Sequence, residues 1–153
     1  MVLCGDGSGS IEVKMRYLIA ILALGGVVVS ALALHVHYCT DTQPCSINAV
    51  WDCGIVNHSP FAEILHIPVA AIGIAGYLAL GVLALLRQRY MVLLAALIGL
   101  GFALRLTSIE EFALQAWCIY CVISQGIIAL ITLLGLGWFT AEYIGLKRAS
   151  RTA

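Results

Sequence analysis

Four stretches of this chain are apolar for about the thickness of a membrane. No charge occurs from Tyr17 to Leu34. With His35 to Tyr38 that stretch is enough helix, at about 1.5 Å per residue, to cross a hydrocarbon core of about 30 Å. A second uncharged run covers Ile67 to Leu86 and is rich in small residues, Ala70, Gly73, Gly76 and Ala79 among them, which permit close helix approach. A third follows the Arg87-Gln88-Arg89 turn, and a fourth opens near Trp117. The pattern predicts an all-α membrane protein, a four-transmembrane-helix bundle with spans at about 17–37, 67–86, 90–114 and 117–143. Arg105, Glu110 and Glu111 fall late in the third span and are expected at the interface or facing inward, because charge at mid-bilayer is costly. No small-residue cleavage pattern ends the first span, which reads as retained.

Between Tyr38 and His66 the chain turns polar. Ser59-Pro60 is a helix-start signal, with Ser59 placed to cap and Pro60 preset for the first turn. Phe61, Ile64 and Leu65 would then share one face of a short interfacial helix in the first outer loop, which Pro68 ends. Residues 1–14 offer no apolar face and read as a disordered tail, in which Cys4 is given no function. Residues 147–153 read as a basic tail.

Composition agrees: 62% of the 153 residues are apolar and 10% charged, against about 25% charged in soluble domains. A net charge of zero leaves no field to attract nucleic acid. Where the charges fall is more informative. Lys14, Arg16, Arg87, Arg89, Lys147, Arg148 and Arg151 lie on one side of a four-span arrangement and only Arg105 on the other. By the excess of basic residues in cytoplasmic loops, both termini are cytoplasmic, in a multi-pass protein of the cell (plasma) membrane. Cys45, Cys53 and the Cys118-Ile119-Tyr120-Cys121 motif then lie near the extracytoplasmic face, where disulfides persist.

A CxxC at a helix start is a reducible pair, and the partial positive charge of the helix N-terminus favours a thiolate there. Cys45 and Cys53 supply a second pair in the outer loop, and a thiolate of one pair can attack the disulfide of the other. Inert packing, or a static staple in the loop, is the alternative for each cysteine. Cys39 either pairs with a loop cysteine or stays a free thiol. His35, His37 and Cys39 alternate along a helix and do not share one face, so no metal is expected. Asn57-His58-Ser59 has the form of a glycosylation acceptor, which the following Pro60 disfavours.

Four spans, a first outer loop with Cys45 and Cys53, Ser59 six positions after Cys53, and the CxxC opening span four together resemble the vitamin K epoxide reductase family over about residues 16–140. Glu110-Glu111-Phe112 is similar to the prokaryotic branch. The resemblance implies a membrane thiol-disulfide oxidoreductase that reduces a lipid quinone, of menaquinone or ubiquinone type, and oxidises a thioredoxin-like (DsbA-like) protein in trans. It implies that Cys45 exchanges with the partner, Cys53 shuttles to Cys118, and Cys121 is nearest the quinone. Ser59, Phe61, Trp117 and Gln125 are the implied quinone-pocket residues. Gln125 stands where the family has a tyrosine, which favours a respiratory quinone over vitamin K epoxide. Quinone-linked disulfide generators of the DsbB kind carry their CxxC and wider pair in the reverse order. A non-catalytic protein using Cys and His to bind a metal or a partner domain is the rival from another class.

Overall fold

In the computed structural model, which describes residues 7–39, 47–48 and 50–152, four long helices pack in a ring. They are α1 (Gly7–Tyr38), α3 (Val69–Leu85), α4 (Arg89–Ile109) and α5 (Ile119–Thr152); a short α2 (Cys53–Asn57) lies in the loop after α1. Helix α1 packs against α3 and α5, and α4 against α5 and α3. On α1 the buried positions Ile19, Ala23, Gly26, Ser30, Ala33 and Val36 recur at three- and four-residue steps, while Ile21, Leu24, Val28 and Leu32 face outward. Both faces are apolar, as a helix between protein and lipid requires, since hydrocarbon offers the backbone no water.

Three helical segments are long and apolar enough to span: Glu12–Tyr38, Arg89–Leu114 and Ile119–Thr140. Helix α3, expected over 67–86, is apolar but has 17 residues, about 26 Å at the standard rise. It seats closely on α1: Ser30 Oγ lies 3.0 Å from where a Cβ on Gly73 would stand, and a Cβ on Gly26 would run into the Tyr77 ring. The Tyr77 hydroxyl in turn donates to the Ser124 carbonyl at 2.7 Å and meets the Ser124 hydroxyl at 2.8 Å, tying α3 to α5.

Two segments differ from expectation. Residues 7–14, read as a disordered tail, begin α1; extending an existing span by another turn avoids the unfavourable nucleation step. Positions 147–152, within the basic tail, continue α5. The interfacial helix is not formed through Leu65. Pro60–Ala62 make a single 3₁₀ turn, followed by β1 (Glu63–Ile64) and β2 (Ile67–Pro68), paired antiparallel with Ile64 opposite Ile67. Leu65 and His66 both take positive φ, 53° and 65°, as a two-residue hairpin turn of the primed type demands. Pro68 closes β2 and leads into α3 rather than ending a helix. The segment keeps the apolar outer surface expected of it, with Phe61, Ile64, Leu65 and Ile67 exposed.

Because the Tyr77 ring occupies the space beside Gly26, Gly26→Ala should destabilise the bundle by about 1–3 kcal/mol, the range for overpacked cores. Gly25→Ala, with nothing within 4 Å of the added carbon, is the control. Thermal unfolding in detergent reads the difference, and equal melting of the two variants would refute this account of the α1–α3 contact.

Candidate functional site

After Ile109 the last turn of α4 widens into a π-helical turn, Glu110–Leu114, and Gln115 takes a left-handed conformation with φ 50°. The chain is thereby turned back along the loop. Trp117 N–H donates to Val50 O at 2.7 Å and Asp52 N–H donates to Trp117 O at 3.1 Å, a parallel bridge of Trp51 with Trp117 whose rings also meet at 6.2 Å. Asp52 then caps α2: its carboxylate accepts from the amides of Gly54 and Ile55 at 2.8 and 3.2 Å. One short ladder thus sets both Cys53, the first residue of α2, and Cys118, the residue before α5.

Both sulfurs are fully buried, in one apolar cluster with Val36, Val56 and Ala116. Asn57, one turn after Cys53, joins them: its Nδ2 donates to Cys53 O at 2.8 Å and to Cys118 Sγ at 3.6 Å. His37 Nδ1 donates to Asn57 O at 2.6 Å and its Nε2 reaches Glu63 at 3.4 Å, which fixes the loop to the end of α1. Cys53 is disulfide-bonded, whereas Cys39, Cys118 and Cys121 are free thiols. Cys45 lies outside the described residues, as does Cys4.

Cys118 is held below the ordinary thiol range, first by the hydrogen bond from the Cys121 thiol and further by the amides of Cys121 and Tyr120; burial and the Glu110 charge oppose this. The amides that favour the anion are those of the first turn of α5, the helix start expected to do so. Glu110 Oε2 accepts from the Cys118 amide at 3.4 Å.

Cys121 opens on a cavity of about 550 Å³ between the helices and the loop. Its wall is mostly apolar, including Ala33, Phe61, Gly73, Leu80 and Leu106, with Ser59, Asn57, Tyr77, Ser124 and Glu110 as polar members. Ser59 reaches it without making the expected side-chain cap; its hydroxyl donates to Val56 O at 2.8 Å instead. Two pocket expectations change. Trp117 is paired with Trp51 and Gln125 accepts a hydrogen bond from Thr107, so neither side chain lines the cavity. Three residues of the site escaped the sequence reading in this role. Asn57 stood only in a glycosylation pattern, although its spacing of four from Cys53 is that of one helical turn. Its burial leaves no room for a glycan. Glu110 was legible as a charge late in a span and as part of the Glu110-Glu111-Phe112 likeness but not as part of the site, and Tyr77 carried no signal. Among the described residues, no three His, Cys, Asp or Glu side chains converge as a metal site requires.

A thiol pair with one member buried and favoured as thiolate, with the disulfide-bonded Cys53 in the same cluster and an apolar cavity behind it, is suited to thiol-disulfide exchange coupled to an apolar reactant. Residues 17–141 match the model of the vitamin K epoxide reductase family. No individual curated protein matches the chain.

Since the Cys121 thiol is the leading cause of the Cys118 shift, maleimide labelling of Cys118, followed by peptide mass spectrometry, should titrate with a midpoint below the usual value of about 8.5. In Cys121→Ala the lost hydrogen bond no longer favours the anion, and the midpoint should rise, slowing labelling several-fold at pH 7. An unchanged profile would show that Cys121 does not tune its neighbour.

Proposed function

The chain belongs to the vitamin K epoxide reductase family, a membrane oxidoreductase by that membership and by its apolar helices, and we propose that it passes disulfides from a lipid quinone to a thioredoxin-like partner. The observation that carries this reading is the contact of the two sulfur systems. Cys53, itself in a disulfide, and the free Cys118/Cys121 pair share one buried cluster bridged by Asn57.

The bundle has four spans in this reading, with α3 as the second, both termini cytoplasmic and the cysteines toward the outer face; the blocks of basic residues support that orientation. A bound quinone supplies a two-electron, two-proton acceptor. The apolar wall beside Cys121 and the hydroxyls of Tyr77 and Ser124 suit a flat ring with carbonyl oxygens and an apolar tail. Cys118 and Cys121 lose two electrons and two protons and close a disulfide. Cys53 attacks Cys118, forming the mixed disulfide and releasing Cys121 as thiol. Cys45 attacks Cys53, and the bond rests on Cys45/Cys53 with Cys118 released. A thiol of the partner then attacks Cys45, and the partner leaves oxidised. A disulfide at Cys53 beside a reduced CxxC corresponds to the stage at which the loop holds the bond. We assign the acceptor to the respiratory quinones, of menaquinone or ubiquinone type. Gln125, in the position of the family's tyrosine, is occupied by Thr107, which supports this choice.

Cys121→Ser should abolish reduction of a soluble quinone analogue by a dithiol, at least 100-fold below wild type, while Cys118→Ala should accumulate a loop disulfide or a partner adduct through Cys45, assigned by mass spectrometry. Normal turnover in Cys121→Ser would sink the scheme.

A further inference from the structure

Among the described residues Glu110 is the one carboxylate whose side chain is buried, 3% exposed. It continues the face of α4 that carries Gly99, Ala103 and Leu106 to the cavity. The groups turned toward it come from the start of α5: the Cys118 amide, 3.4 Å from Oε2, and the thiols of Cys118 and Cys121, the latter hydrogen-bonded to the carboxyl. No Lys, Arg or His among the described residues pairs with it. Burying a carboxyl without a cationic partner costs several kcal/mol, of order that for an unpaired polar group or more. Support of the Cys118 amide does not account for the acid, because a glutamine oxygen would accept the same bond. What an amide cannot do is take a proton from a thiol.

We propose that Glu110 is the general base for Cys121: it accepts the Cys121 S–H proton as the Cys118–Cys121 disulfide closes and holds that proton at the cavity wall. The transfer balances. From a mixed disulfide of Cys118 with a small thiol, the Cys121 sulfur bonds to Cys118 Sγ, the bond from Cys118 to the small thiol breaks, the small thiol leaves as thiolate, and the Cys121 proton goes to the Glu110 carboxylate. With a quinone as oxidant, on the function proposed above, the electron pair of the Cys118 thiolate and Cys121 thiol goes to the ring. One proton then comes from Glu110 and one from water, giving hydroquinone. General bases of this kind contribute about 10²–10⁴-fold.

The test separates this role from the quinone reading. In quinone-free protein with Cys4, Cys39, Cys45 and Cys53 replaced by Ser, Cys118 is loaded with a chromogenic pyridyl disulfide, and release of thiopyridone on ring closure is timed from pH 6 to 9. Glu110→Gln should slow closure at least tenfold at pH 7, the gap narrowing as pH rises and hydroxide replaces the missing base; Glu110→Asp should recover part of the rate. Loading of Cys118 itself should not slow in Glu110→Gln, because losing the Glu110 charge favours the Cys118 thiolate, and loading at or above the wild-type rate shows that the motif is still in place. Closure in Glu110→Gln at the wild-type rate, or a deficit that is the same at every pH and extends to loading, overturns the inference. Dithiol-dependent quinone reduction is measured alongside. A wild-type protein inactive on quinone but slowed in closure by Glu110→Gln refutes the quinone reading and keeps the base; a protein active on quinone with closure unaffected does the reverse.

Discussion

The bridge between Trp51 and Trp117 is the contact from which the site is built. Between the π turn and α5 the chain leaves helical geometry at the edge of an apolar bundle, where unpaired amides and carbonyls are costly. Trp117 satisfies both of its backbone groups on the outer loop, on Val50 and Asp52. Satisfying that local requirement also fixes a distant one. The residue after the bridge on one strand is Cys118, and the residue after Asp52 on the other is Cys53, already committed to a capped helix. Two cysteines 65 positions apart are brought into one cluster by two backbone hydrogen bonds and a carboxylate cap.

Burial then divides the labour among the sulfurs. Cys53 and Cys118 have no exposed surface, so a soluble protein has no direct path to either, and in the proposed relay exchange between them proceeds away from water and from competing thiols. In the proposed relay this is the reason for two loop cysteines: one must remain where a partner can reach it while the other stays with the CxxC. Asn57 suits the interior position. Its amide supplies a neutral donor to sulfur, which favours a developing thiolate at Cys118 without adding a charge to a cluster that is otherwise apolar.

The apolar helices and the CxxC were legible in the sequence because both depend on local signals, hydropathy over about twenty residues and a fixed spacing at a helix start. The outer loop was not. Ser59-Pro60 is a sound helix-start signal, yet the helix it announces stops after one 3₁₀ turn, and the hairpin that follows turns on Leu65 and His66, neither of which marks a positive φ. Glu63 contacts His37 on α1, a tertiary contact that no window along the loop contains. Trp117 and Gln125 were misplaced for the same reason: adjacency to the CxxC in sequence says nothing of Trp51 or Thr107, the partners that draw them away from the cavity. Tyr77 became visible only through Gly26 and Ser124, each on another helix.

The helices themselves serve two ends differently. Toward one end Ile19, Ala84, Val92, Ile131 and Trp138 fill the interior; toward the other, the same four helices leave the cavity beneath the loop. Tyr77 stands at the boundary, packed in the core and also part of the cavity wall, with its hydroxyl held by Ser124, one helical turn from Cys121. A site built beside a cavity is not close-packed, so its geometry has to be fixed from outside itself. Here that support comes from the filled end below, where small residues let α1 and α3 approach closely, and from the tethered loop above. Cys53, Cys118 and Cys121 lie between that packed end and the tethered loop, with the cavity beside Cys121.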